Sequence, residues 1–345
     1  MGTAVLLAGF VCCMNAPTAL AEETATQTVV DSLGREVEIP DPCTSAIVSN
    51  AYNMEIVNAI NAIDQVAGVD WYIWQDEEAW GSYFDESYLV GSDSAELDYE
   101  LVVDKNPDVI VCTGNCTGNY EDVIKAMEPF GIPVVVSNAY YTAEFFDTVD
   151  LLGQVFGKEE DAAELTGYFS DKLDYINTQL DGVEEKSVYF EYRTEGRTTI
   201  EGDYFYNMVE FAHADNLFGD SEGNTVELEA VVDADPEYIV KVSQPDVTSS
   251  YIPPTEEDME WVYNDLVSRA GWDEITAVKE DNILLLSHYV HGGASKLVGT
   301  MYIAKFMYPD LLPDLNPEEV FAKWLEFQHR DYIEGHTRPA YTLDE

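Results

Sequence analysis

Arg193 and Arg197 in EYRTEGRTT, and His288 and His291 in NILLLSHYVHGG, are the side chains best suited to holding an anion or a metal. Each pair follows an apolar run that reads as a buried strand, SVYFEYR and NILLLS. Arginine's planar fork matches oxyanions, and histidine offers a ring nitrogen to a metal or a hydrogen-bond partner. Two readings stay open for the arginines: grip on a ligand, or internal pairing with Glu191, Glu195 or Glu201. The histidines are read as ligand contacts or as structural, and His213, in a helical stretch, as packing. Loops after predicted strands also supply Asn53 and the aromatic residues Trp71, Tyr72, Trp74, Tyr140, Tyr141 and Tyr289; the aromatic rings can stack on a flat or greasy ligand or cover core edges.

Other chemistries are weaker. Gly219 to Gly223 fits G-x-S-x-G around Ser221, but a nucleophile elbow needs a strand before the serine and a helix after it, and the flanking sequence reads as neither. Asp220, Glu222 and Asn224 lack the residue order of a calcium loop. Cys112 and Cys116 are spaced for a small disulfide loop after a strand, and no other Cys or His near them completes a zinc set. Bare zinc or manganese capture would want three or four converging His and carboxylate ligands, which five scattered histidines do not offer. No metal site and no resident cofactor is expected.

The elements that position these residues follow from composition and pattern. With 67 acidic against 16 basic residues the surface repels phosphate backbones and anionic lipid, which excludes nucleic acid as a partner. The apolar run Ala4 to Val11, followed by Ala19-Leu20-Ala21, reads as a secretory signal over 1–21. It has no basic residue ahead of the run, so the start reads as internal to a longer signal; lipidation at Cys12 or Cys13 is an alternative not favoured, because Gly9, Phe10 and Val11 fit a lipobox poorly. YELVVDKNPDVIV from Tyr99 returns 129 positions later as LEAVVDADPEYIV from Leu228, each a short helix running into a strand, so the chain reads as two related lobes. Near-continuous apolar strands separated by helices predict parallel sheets covered on both faces. The expected division is a lobe over 25–157, an amphipathic linking helix over 158–181, a second lobe over 184–312 and a tail over 313–345. The WYIWQDEEAW stretch is expected as loop and YFYNMVEFAHAD as helix.

The order of pieces resembles the type III substrate-binding proteins of ATP-driven importers, which carry iron-siderophores, haem or vitamin B12. The matching stretches are DSLGREVEIP, IVSNAYNMEIVNAINAIDQVAGVD, the first repeat, GQVFGKEEDAAELTGYFSDKLDYINTQL, EGDYFYNMVEFAHADNLFGD, the second repeat and ASKLVGTMYIAKFMYP, spanning about residues 28 to 310. The resemblance implies an α/β fold of two Rossmann-like lobes with parallel sheets joined by a long backbone helix, with ligand bound between them. It implies an exported, monomeric protein that captures a ferric chelate, siderophore or haem, with cobalamin as the alternative, and hands it to a permease and its ATPase. Glu100 and Glu229, at matching places in the two repeats, would then meet permease arginines; by themselves they also read as ordinary helix-start residues. A chelatase of related fold works inside the cell, which the signal segment argues against.

Overall fold

The two copies of the repeat fold alike. In the computed structural model, which describes residues 25–91, 96–114, 120–243, 251–291 and 296–341, helix α4 (Tyr99–Lys105) leads into strand β5 (Val109–Thr113), and α9 (Leu228–Ala234) into β9 (Tyr238–Ser243). Each helix ends on a left-handed residue, Asn106 at φ 47° and Asp235 at φ 47°, just before Pro107 or Pro236. Asn and Asp tolerate that conformation, and the proline then forbids another helical turn. The expected signal segment, with Cys12 and Cys13, lies outside the described residues.

Two parallel sheets result. In the first, β3 (Ala46–Val48), β4 (Val66–Val69), β5 and β6 (Val134–Ser137) run in the order β4-β3-β5-β6. In the second, β7 (Lys186–Glu191), β8 (Ala214–Asn216), β9, β10 (Ile283–Ser287) and β11 (Thr337–Arg338) run in the order β11-β10-β9-β7-β8, with only β11 antiparallel. A hairpin of β1 (Thr26–Val30) and β2 (Glu36–Pro40) precedes the first sheet. The helices around the first sheet are α1 (Ala51–Ala59), α2 (Trp71–Trp74), α3 (Glu77–Trp80), α4, α5 (Tyr120–Met127) and α6 (Phe145–Phe156). Then come α7 (Glu159–Gln179), the linking helix, and around the second sheet α8 (Tyr206–Glu210), α9, α10 (Glu256–Val267), α11 (Thr276–Lys279), α12 (His288–His291), α13 (Lys296–Met307) and α14 (Pro317–Phe327).

Strand alternation divides the interior. Ile110 and Cys112 of β5 face outward onto α4 and α5 with Val102 and Val123, and Ile283 and Leu285 of β10 face a matching outer cluster with Val231 and Trp272. The alternate residues, Val109, Val111, Leu284 and Leu286, belong to one apolar cluster that continues through both halves by way of α6, α7, α13 and α14. The inner faces of the two halves thus share one core.

Two expectations are corrected. The WYIWQDEEAW stretch is two short helices, because Asp70 and Asp76 cap them by accepting from the Ile73 and Ala79 amides. The helix expected across YFYNMVEFAHAD stops at Glu210, and Ala214–Asn216 pairs with β7 after a left-handed turn at His213. The tail beyond 313 is built into the body: after α14 it returns β11 to the edge of the second sheet, and it reaches the first half as well. Asn58 Nδ2 donates to the Gln328 carbonyl (2.7 Å), and Gln328 Nε2 donates to that of Glu55 (2.7 Å). Arg330 Nη2 donates to the Ala79 carbonyl, its guanidinium lying 4.5 Å from the Trp80 ring centre.

Candidate ligand-binding cleft

In the first half the carboxyl ends of β3, β4 and β6 are tied into one polar rim. Asp70, buried after β4, accepts from Asn50 N (2.6 Å), Ser49 Oγ (3.0 Å) and Ile73 N (3.0 Å). Burial pushes its carboxyl above the usual range, against the pull of these donors. Asn50, held at φ 80°, caps α1 through its side-chain oxygen and donates Nδ2 to the Tyr140 hydroxyl (2.9 Å). The Tyr140 ring meets Tyr52 edge-on at 4.4 Å.

The second half brings its strand ends to the same place. After β7, Tyr192 lies beneath the guanidiniums of Arg193 (5.0 Å) and Arg197 (5.7 Å), and stacks on Phe205. After β10, His288 and His291 sit side by side with ring centres 5.1 Å apart, His291 also packing on Tyr192 and Phe205. Burial, reinforced by Arg193 and Lys296, lowers the His288 pKa to about 3; burial also holds His291 neutral. Among the described residues His288 Nδ1 and His291 Nε2 have no hydrogen-bond partner. Lys296, only 2% exposed, opens α13 here, its ammonium 4.6 Å from the Tyr52 ring centre and 5.7 Å from that of Phe205. Tyr204 closes the junction: its ring packs on Tyr140 and Tyr141, and its carbonyl accepts from Thr142 Oγ1 (2.9 Å). Thus Arg193, Arg197 and Lys296 bring positive charge to one junction, with Asp203 the nearby carboxylate, in a chain of net charge −51. Positive charge gathered in this way favours a nearby anion electrostatically.

The expected residues are partly gathered here. Tyr140, Tyr141, Arg193, Arg197, His288 and His291 come together. Asn53 is fully buried, tied to Ser137 Oγ and to the Ser49 carbonyl, so it braces strand ends. Tyr289 is not brought to the junction; it is 3% exposed, packed on Tyr251, Phe321 and His336, because each step along the short helix α12 turns the side-chain direction by about 100°. Trp71 packs edge-on against Tyr72, which is 44% exposed, and Trp74 lines a separate hollow with Glu77, Phe84 and Glu86. Of the carboxylates weighed as partners for the arginines, Glu191 is held by Arg269 and Lys241, and Glu195 lies 3.6 Å from Arg269. Cys112 is buried, its thiol pushed up to about 12 by burial, and its expected partner Cys116 lies outside the described residues. Ser221 lies in a turn between β8 and α9, without the strand-to-helix elbow of a hydrolase. His213 packs as expected, its Nε2 2.9 Å from the Val183 carbonyl oxygen. Glu100 and Glu229 are exposed in the first turns of α4 and α9. Sequence reasoning missed Lys296, although a lysine at the start of an otherwise apolar helix, in a chain this poor in cations, was a usable signal.

The sequence profile of the periplasmic binding protein family matches residues 47–289, from β3 to α12. The chain belongs to that family. Members are binding proteins, and this one has their two-lobed α/β fold. The molybdate-binding protein MolA of Haemophilus influenzae is 24% identical, with 93% of each chain covered. Its molybdate-bound structure superposes with a TM-score of 0.68 at 18% identity, covering 89% of this chain and 99% of that one. The TroA-like binding protein FepB of Veillonella parvula gives a TM-score of 0.74 at 17% identity, covering 90% and 98%. The nickel–histidine complex of Helicobacter pylori CeuE gives 0.65 at 20%, covering 88% and 95%.

Proposed function

We propose that this protein is the extracytoplasmic receptor of an ATP-driven importer and captures a metal-bearing anion between its lobes. The observation that carries the reading is the convergence of Arg193, Arg197 and Lys296 in a chain otherwise dominated by carboxylates. Guanidiniums and a buried ammonium offer charge-assisted hydrogen bonds to oxyanions, and the surrounding low dielectric strengthens them. The neutral imidazoles of His288 and His291 add nitrogen donors for a metal centre or an anion's hydroxyl. Two members of this ligand class are supported by different observations. The ring surface of Tyr140, Tyr141 and Tyr204 favours an anionic ferric chelate, a siderophore or haem; the similarity to MolA favours a tetrahedral oxyanion of the molybdate kind. Cobalamin, whose corrin bears no comparable anionic face, ranks below both. Glu100 and Glu229 would dock the loaded receptor on permease arginines.

The test is calorimetric titration and native mass spectrometry with molybdate, a ferric catecholate, haem, cobalamin and free nickel. Retention of one of the first three, weakened by rising salt as an ionic contact requires, is expected. Preference for cobalamin or for the bare cation overturns the reading.

A further inference from the structure

Beneath the arginine loop lies a buried ion-pair network. Glu191, the last residue of β7, has no exposed surface; it accepts from both terminal nitrogens of Arg269 (2.8 and 2.9 Å) and from Tyr189 Oη (2.8 Å), and pairs with Lys241 Nζ (2.8 Å). Burial alone would raise the Glu191 pKa; Arg269 and Lys241 outweigh it and keep the carboxylate ionised. Taking three charges out of water is costly, and apolar side chains of similar volume often serve stability as well or better. Stability alone is therefore a weak reason for a lysine at 241, and does not fully account for it.

Its remaining hydrogen bonds do. Lys241 Nζ also donates to the carbonyls of Tyr192 (2.7 Å) and Arg193 (3.1 Å), while Glu191 accepts from the Gly196 amide (2.9 Å). Tyr192 N then closes the turn on the Arg197 carbonyl (2.7 Å). One lysine and one glutamate thus fix both shoulders of the turn that presents Arg193 and Arg197. We propose that Lys241 is a positioning residue for anion capture, holding the two arginines in place through the backbone of residues 192–197; this rests on the anion reading of the cleft.

Lys241→Met in the full chain tests it, because Arg269 remains bidentate on Glu191. Expected are hydrogen exchange about tenfold faster across 192–197 with β9 and β10 still protected, and affinity about tenfold weaker for whichever of molybdate or the ferric catecholate the parent binds, as loss of charge-assisted hydrogen bonds implies. Should that variant not fold, Lys241→Arg keeps the charge opposite Glu191 while its planar group displaces the carbonyl contacts, and the same two shifts are expected. Parental exchange and parental affinity in a folded variant overturn the inference, whatever happens to the melting temperature. The double variant Arg193→Ala, Arg197→Ala separates the two claims. If it binds as the parent does, the anion reading has failed, and loop exchange, which needs no ligand, still decides the role of Lys241.

Discussion

The ammonium of Lys296 lies 4.6 Å from the centre of the Tyr52 ring, so the first residue of α13 in the second half sits on the first turn of α1 in the first half. A buried cation that faces aromatic rings on both halves ties their approach to the charge available for a ligand. Lys296→Met preserves much of the bulk while removing the charge. Affinity for an anionic ligand is expected to fall by about tenfold or more, from a loss of ~1.5–3 kcal/mol. Calorimetry on parent and variant at matched salt measures it.

Gly196 stands at φ 72°, and a Cβ there would come within 2.6 Å of the Val226 carbonyl oxygen. Both the left-handed backbone and the approach exclude a side chain. Gly196→Ala is expected to cost roughly 1–3 kcal/mol and to weaken binding through the arginine turn. Denaturant melts paired with titration show whether the two losses go together.

Acid should destabilise the protein from an unusually high pH. Burial holds both His288 and His336 at a pKa of about 3, against about 6.5 in an unfolded chain. The folded state therefore binds fewer protons than the unfolded state between these values. The stability from each group is complete above about pH 6.5 and is lost as pH falls toward 3. Melting temperatures recorded from pH 7 to pH 4 should decline steadily, with a shallower decline for His336→Asn.

Arg330 bridges the halves, donating to the Ala79 carbonyl and lying over Trp80 on one side, with the Tyr251 ring 5.0 Å away on the other. Arg330→Met is expected to lower stability by ~1–2 kcal/mol and to speed hydrogen exchange in α3. An unchanged denaturation midpoint would argue against the bridge.

Glu100 and Glu229, exposed on α4 and α9, do not touch the cleft residues. The double variant Glu100→Gln, Glu229→Gln should bind ligand as the parent does and fail to support uptake with its cognate permease in vesicles. Normal uptake would remove these residues from the docking surface.

The sequence made the repeated units legible to the residue, because Asn106-Pro107 and Asp235-Pro236 terminate helices by local rules that need no tertiary context. It also placed Arg193, Arg197, His288 and His291, since residues just after parallel strands gather where the sheets' carboxyl ends meet. Tyr289 could not be assigned that way: its orientation is set by Phe321 and His336, 32 and 47 residues downstream. Strand β8 was hidden for a similar reason. Ala214–Asn216 has weak strand propensity and is extended because β7 offers it an edge. Lys241 lies inside an apolar strand, and its role emerges only with Glu191 and Arg269 in three dimensions.

The contact between Gln328 and Glu55 joins positions 273 residues apart, and β11 reaches the second sheet only after α14 has been passed. A polypeptide emerging amino end first thus cannot complete the bracing of α1 until nearly its whole length is out. Until then its first half lacks a fastener.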